Sequence, residues 1–125
     1  MFEKYAKWIE EHREKFIEIS DKIWSYAETG LEEYKSSEFL IKTLEQDGFE
    51  VRKGVADMET SFVASFGESS PVIAILGEYD ALPGLNQAAK AIRKPIQEGT
   101  PGHGCGHNLL GTGSLAAVMA VKKEI

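Results

Sequence analysis

A chain of 125 residues, 42% of them apolar, has enough material for one hydrophobic core and a single domain. Fourteen basic against twenty acidic residues give a net charge of −6 without basic clusters, which argues against nucleic acid and anionic membrane as partners. The single cysteine excludes an internal disulfide, and charged, amphipathic first residues with no bilayer-length apolar run leave the cytoplasm as the expected location.

From Phe2 to Tyr26, apolar residues recur at three- and four-residue steps (Phe2, Tyr5, Ile9, Phe16, Ile19, Ile23) with Lys and Glu between them. This spacing predicts one long amphipathic helix. Trp8 and Trp24 share the helical spacing and are read as packing residues, and His12, amid Glu10, Glu11 and Arg13, as a solvated one. After a turn at Glu28 to Leu31, a second helix is expected from about Glu33 to Gln46, with Phe39, Leu40 and Leu44 inward and Gly48 ending it. Phe49 to Lys53 and Ser61 to Phe66 alternate as strands do.

Pro71 to Gly77 is a continuous apolar run of the kind that forms a strand buried on both faces. It ends in Glu78-Tyr79-Asp80. Strand alternation sends Glu78 and Asp80 to one side and Tyr79 to the other, at the carboxyl end where open α/β sheets bind ligands. Two carboxylates there suit metal binding, orientation of a ligating histidine or proton handling; equally, they suit a strand emerging into water. Residues 83–102 show no clean period and form a loop between two motif segments, carrying Asn86, Gln87, Arg93 and Lys94.

Pro101 to Gly111 reads Pro-Gly-His-Gly-Cys-Gly-His-Asn-Leu-Leu-Gly, with the only cysteine two residues before His107. Leu109 to Val121 has the composition of a helix, which places the turn at a helix N-terminus, where a thiolate is favoured. Three readings of the Cys105/His107 pair stay open at this point: metal ligation, a nucleophilic cysteine, or a small apolar residue in an ordinary turn. The glycines here match neither a P-loop nor a dinucleotide fingerprint. Element order helix, helix, strand, strand, strand, helix gives an α/β layered fold, with a mostly parallel or mixed sheet flanked by helices.

Gly77-Glu78-Tyr79-Asp80-Ala81-Leu82-Pro83-Gly84 followed by Gly102-His103-Gly104-Cys105-Gly106-His107-Asn108 resembles the metal-dependent amidohydrolases related to aminoacylases and zinc carboxypeptidases. The branch it is most similar to is that of aminobenzoyl-glutamate hydrolase and its dipeptidase relatives. Ala27 to Glu33 also sits where that branch carries a Pro-Glu-Leu-Gly-like turn. The resemblance implies a centre of two divalent ions, Zn or Mn, with Cys105 and His107 as ligands and Asp80 steadying the site from behind. Glu78 stands where the wider group has a histidine ligand, and Asn108 where hippurate hydrolases have aspartate.

The implied substrate is a small amide, an N-acyl amino acid or a dipeptide, whose carboxylate Arg93 would meet. Family members are much longer. Residues 1–125 would therefore be the N-terminal portion of the catalytic domain, without its other half or the lid and dimerisation domain. The general base and remaining ligands would lie elsewhere, Glu124 being too close to the motif to serve. Such a portion is expected to be inactive alone, and the intact enzyme to be a homo-oligomer. Two other readings compete: a thiol enzyme with Cys105 as nucleophile and His103 or His107 as base, and a non-enzymatic binding module with an unfinished sheet edge.

Overall fold

The structure, a computed structural model, describes residues 2–123; Glu124 lies outside them. Helix α1 (Phe2–Glu11) is followed by α2 (Arg13–Tyr26) and α3 (Tyr34–Gln46), then β1 (Glu50–Lys53), a 3₁₀ turn (Val55–Asp57), β2 (Phe62–Ser65) and α4 (His107–Lys122). The α/β class expected from the sequence holds, but the mostly parallel or mixed sheet does not: the one sheet among the described residues is a two-stranded antiparallel pair, because the third apolar run finds no partner strand.

Helices α2, α3 and α4 close the core through Phe16, Ile19, Ile23, Leu40, Leu44, Leu115, Ala116 and Met119, with Phe49 beneath the hairpin. Ile23 and Met119 are wholly enclosed where α2 crosses α4. Each such side chain contributes about 1.5–3 kcal/mol by leaving water. These contacts make α2 and α4 one rigid unit, and α4 begins at a motif histidine.

The single long helix expected over 2–26 is two helices. His12 is the break: its Nδ1 lies 2.8 Å from the Trp8 carbonyl and its ring stacks on the Trp8 indole. A side chain competing for that carbonyl loosens the helical ladder locally, although the apolar period runs through unbroken. Helix α3 ends as expected, with Gly48 at φ 87° and the Phe49 amide returned to the Leu44 carbonyl.

Strands β1 and β2 pair antiparallel, from Glu50 opposite Ser65 to Lys53 opposite Phe62. The third expected strand differs. Residues 71–77 form no ladder among the described residues, and Val72, Ile73 and Leu76 are 88%, 81% and 86% exposed. A strand buries both faces only with a neighbour on each edge and a layer on each side. Among the described residues, α4 supports it, through the Ser114 hydroxyl donating to the Leu76 carbonyl at 2.7 Å. No helix of the described residues is long and apolar enough to cross a membrane.

Candidate metal centre

Two isolated backbone bridges bring the motif segments together. Ala81 pairs with Thr29, its N–H donating to the Glu28 carbonyl at 2.7 Å, and Leu82 pairs with Gly102 through two 3.0 Å hydrogen bonds. The Glu28 carboxylate accepts from the Lys35 and Ser36 amides and from the Ser36 hydroxyl, capping α3 and fixing the 27–31 turn against residue 81. Gly102 must be glycine, since a Cβ there would sit 2.1 Å from the Leu85 carbonyl oxygen.

Helix α4 starts after Gly106, which is left-handed at φ 79°. His107 is therefore the first helical residue. Asn108, next to it, is buried and donates to the Ser20 hydroxyl at 3.0 Å, locking the first turn of α4 to α2. The 78–80 tripeptide crosses α4 closely at Gly111, where a Cβ would come within 2.8 Å of the Glu78 carbonyl oxygen. This close passage carries two carboxylates to the imidazole.

His107 Nδ1 lies 2.7 Å from Asp80 Oδ1, and Nε2 lies 3.2 Å from Glu78 Oε2. One donor atom from each of Glu78, Asp80 and His107 falls within 4.8 Å of the others. A neutral imidazole has one N–H, so it can donate to only one of these carboxylates. With that proton on Nδ1, toward the shorter contact, Nε2 is the nitrogen left with a lone pair. The Nε2 lone pair then faces a carboxylate oxygen, an arrangement that a cation relieves. Ligand bonds of about 2.0–2.2 Å in a tetrahedral shell put neighbouring donors about 3.4 Å apart, close to the Nε2 to Oε2 separation. The donor set thus fits a divalent metal, with Asp80 behind the histidine.

Tyr79 leaves the tripeptide on the opposite side, as alternation requires. Its hydroxyl donates to the Thr60 carbonyl and its ring lies 6.1 Å from that of Phe62. Burial pushes its phenol up to about 12, and the Glu33 carboxylate adds to the shift.

Cys105 is exposed and is not part of the Glu78/Asp80/His107 group. Arg93 is exposed and paired with Glu98 at 2.5 Å, on a groove of about 250 Å³ that Asn86, Gln87 and Gly99 help to line. Neither Glu78, Asp80 nor His107 lines that groove. The loop is ordered from within: Asn86 Oδ1 accepts from the Ile96 and Gln97 amides, and Gln87 donates to the Ala88 and Ile92 carbonyls.

His103 donates through Nε2 to the Ile23 carbonyl at 3.1 Å, while its buried Nδ1 has no partner among the described residues. Burial holds its imidazole below the ordinary value of 6.5, against the opposing pull of the Ile23 carbonyl and Asp80. An imidazole harder to protonate in the folded than in the unfolded chain adds stability above the unfolded pKa, and that stability is lost as pH falls through the folded one. His103→Gln is expected to flatten the loss of stability below pH 6.5. Urea midpoints at about pH 7 and about pH 5, compared with the unmodified chain, check this.

Over 116 residues, 92% of this chain, it is 50% identical to a subunit of p-aminobenzoyl-glutamate hydrolase of Escherichia coli. The chain is a homologue of hydrolases. It is also 29% identical over 110 residues to thermostable carboxypeptidase 1 of Saccharolobus solfataricus, matching 86% of the chain. With a Bacillus subtilis protein, YhaA, named as an amidohydrolase, the identity is 30% over 114 residues, or 90% of the chain. The chain spans about a quarter of the length of each of these curated relatives: 24%, 27% and 27%. No family model matches it. The resemblance carried by the two motifs thus extends across nearly the whole chain.

Proposed function

We propose that this chain is the N-terminal portion of a metal-dependent amidohydrolase, similar to aminobenzoyl-glutamate hydrolase, that cleaves the amide bond of N-acyl amino acids or dipeptides. The observation that carries this reading is the His107 imidazole with a carboxylate facing each ring nitrogen. Cys105, two residues earlier, and His107 would hold divalent metal, Zn or Mn, while Asp80 orients the imidazole and Glu78 adds an oxygen donor. When bound, such an ion polarises an amide carbonyl and lowers the pKa of water.

Two ions are expected in the complete enzyme, so donors from outside residues 2–123 are required. Arg93 would take the substrate carboxylate in exchange for Glu98. That the Escherichia coli relative is named as one subunit of a hydrolase favours assembly of the complete protein with other chains, and light scattering distinguishes copies of itself from a different partner.

The polypeptide made from the complete reading frame is expected to hydrolyse aminobenzoyl-glutamate and to lose that activity on chelation, regaining it with Zn or Mn. The 125-residue segment alone is expected to show none. Chelation-resistant hydrolysis, or hydrolysis by the segment alone, overturns the proposal.

The exposure of Cys105 outside the carboxylate group favours one second reading, a thiol nucleophile with His107 or His103 as base. Alkylation that abolishes activity without releasing metal would select it.

A further inference from the structure

The segment ending in Glu78-Tyr79-Asp80 reaches His107 without a strand ladder to set its rotation. Its fixed points are few: Ser114 on the Leu76 carbonyl, Gly111 against Glu78, Glu28 on the Ala81 amide, and Tyr79. Of these, Tyr79 lies between the two carboxylates and has a side chain that anchors elsewhere. Its hydroxyl donates to the Thr60 carbonyl, and the Thr60 hydroxyl donates to Glu33 Oε2 at 2.6 Å. Thr60 and Glu33 are both buried. A chain of hydrogen bonds therefore runs from the tripeptide through the turn before β2 to the start of α3.

We infer that Tyr79 is a positioning residue, whose hydrogen bond to the Thr60 carbonyl fixes the rotation of the tripeptide and so aims Glu78 and Asp80 at His107. This rests on the proposed function of that centre. In an extended tripeptide the middle side chain opposes its neighbours, so the carboxylates swing away only if the phenol swings too. The phenol is held by a partly buried hydrogen bond and by the Phe62 ring. Phenylalanine would keep the ring and leave the Thr60 carbonyl without its donor.

The test is Tyr79→Phe in the polypeptide made from the complete reading frame, measuring kcat, KM and metal dissociation. Loss of a group that orients ligands is expected to lower kcat and weaken metal binding by about 10- to 100-fold, with KM changed by less than about twofold. Phe62→Leu removes the ring contact and keeps the phenol bond. It is expected to lower the thermal midpoint more, and kcat less, than Tyr79→Phe does, which separates aim from general stability.

Should Tyr79→Phe fail to fold, Thr60→Val serves: loss of its hydroxyl bond to Glu33 loosens the mount of the carbonyl, and a smaller fall in kcat is expected. Parent-like kcat and metal binding in Tyr79→Phe, or in Thr60→Val where it stands in, overturn the inference. If Asp80→Asn in the same series is impaired while Tyr79→Phe is not, positioning alone fails. If Asp80→Asn is also parent-like, the functional assignment of the centre fails, and the inference with it.

Discussion

His107→Ala, made in the polypeptide from the complete reading frame, is expected to lower kcat for amide hydrolysis by about three orders of magnitude or more. An ion that polarises the scissile carbonyl supplies several kcal/mol of transition-state stabilisation, and each 1.36 kcal/mol is tenfold in rate. His107 is the side chain on which both carboxylates converge, at 2.7 and 3.2 Å. Its removal would delete the proposed ligand and leave the two carboxylates without the imidazole between them. Metal content per chain should fall in parallel. Near-parent kcat with full metal content would place the chemistry elsewhere.

Asp80→Asn is expected to weaken metal binding and activity by about 10- to 100-fold, less than the loss of His107 itself. The amide oxygen of Asn can still accept from His107 Nδ1, so orientation is partly kept while the negative charge is lost. A carboxylate 2.7 Å from Nδ1 raises the electron-donating power of Nε2, and a neutral amide does this poorly. Kinetics at saturating metal separate the two contributions. Activity restored by excess metal indicates weakened affinity, and a residual deficit indicates misorientation. Parent-like behaviour in both measurements would remove Asp80 from the site.

The features legible in the sequence are those with local causes. Alternation along an extended chain is a covalent consequence, so Glu78 and Asp80 facing one way and Tyr79 the other follows from their spacing. Gly48 ends α3 where a left-handed residue is needed. Illegible features have distant partners. The 71–77 run carries the composition of a buried strand, but pairing depends on neighbours far away in sequence, and none of the described residues supplies a ladder.

Glu28 caps α3 from seven and eight residues before the capped amides, outside the local offset at which a cap is normally sought. Asn108 lies in the motif yet ties α4 to Ser20 across the core. The break at His12 comes from one ring competing for one carbonyl, which a periodicity count does not register. For Cys105, spacing fixes proximity to His107 along the chain, whereas the direction of its thiol depends on the torsions of Gly104 and Gly106.

Anomalous diffraction at the zinc or manganese edge, from crystals of the polypeptide made from the complete reading frame, tests the proposed centre most directly. The expected result is a peak within about 2.0–2.3 Å of His107 Nε2 and Cys105 Sγ, with Asp80 on Nδ1 of the same ring. A fully active crystal form with no peak near His107, or with its ions held wholly by other residues, would contradict it.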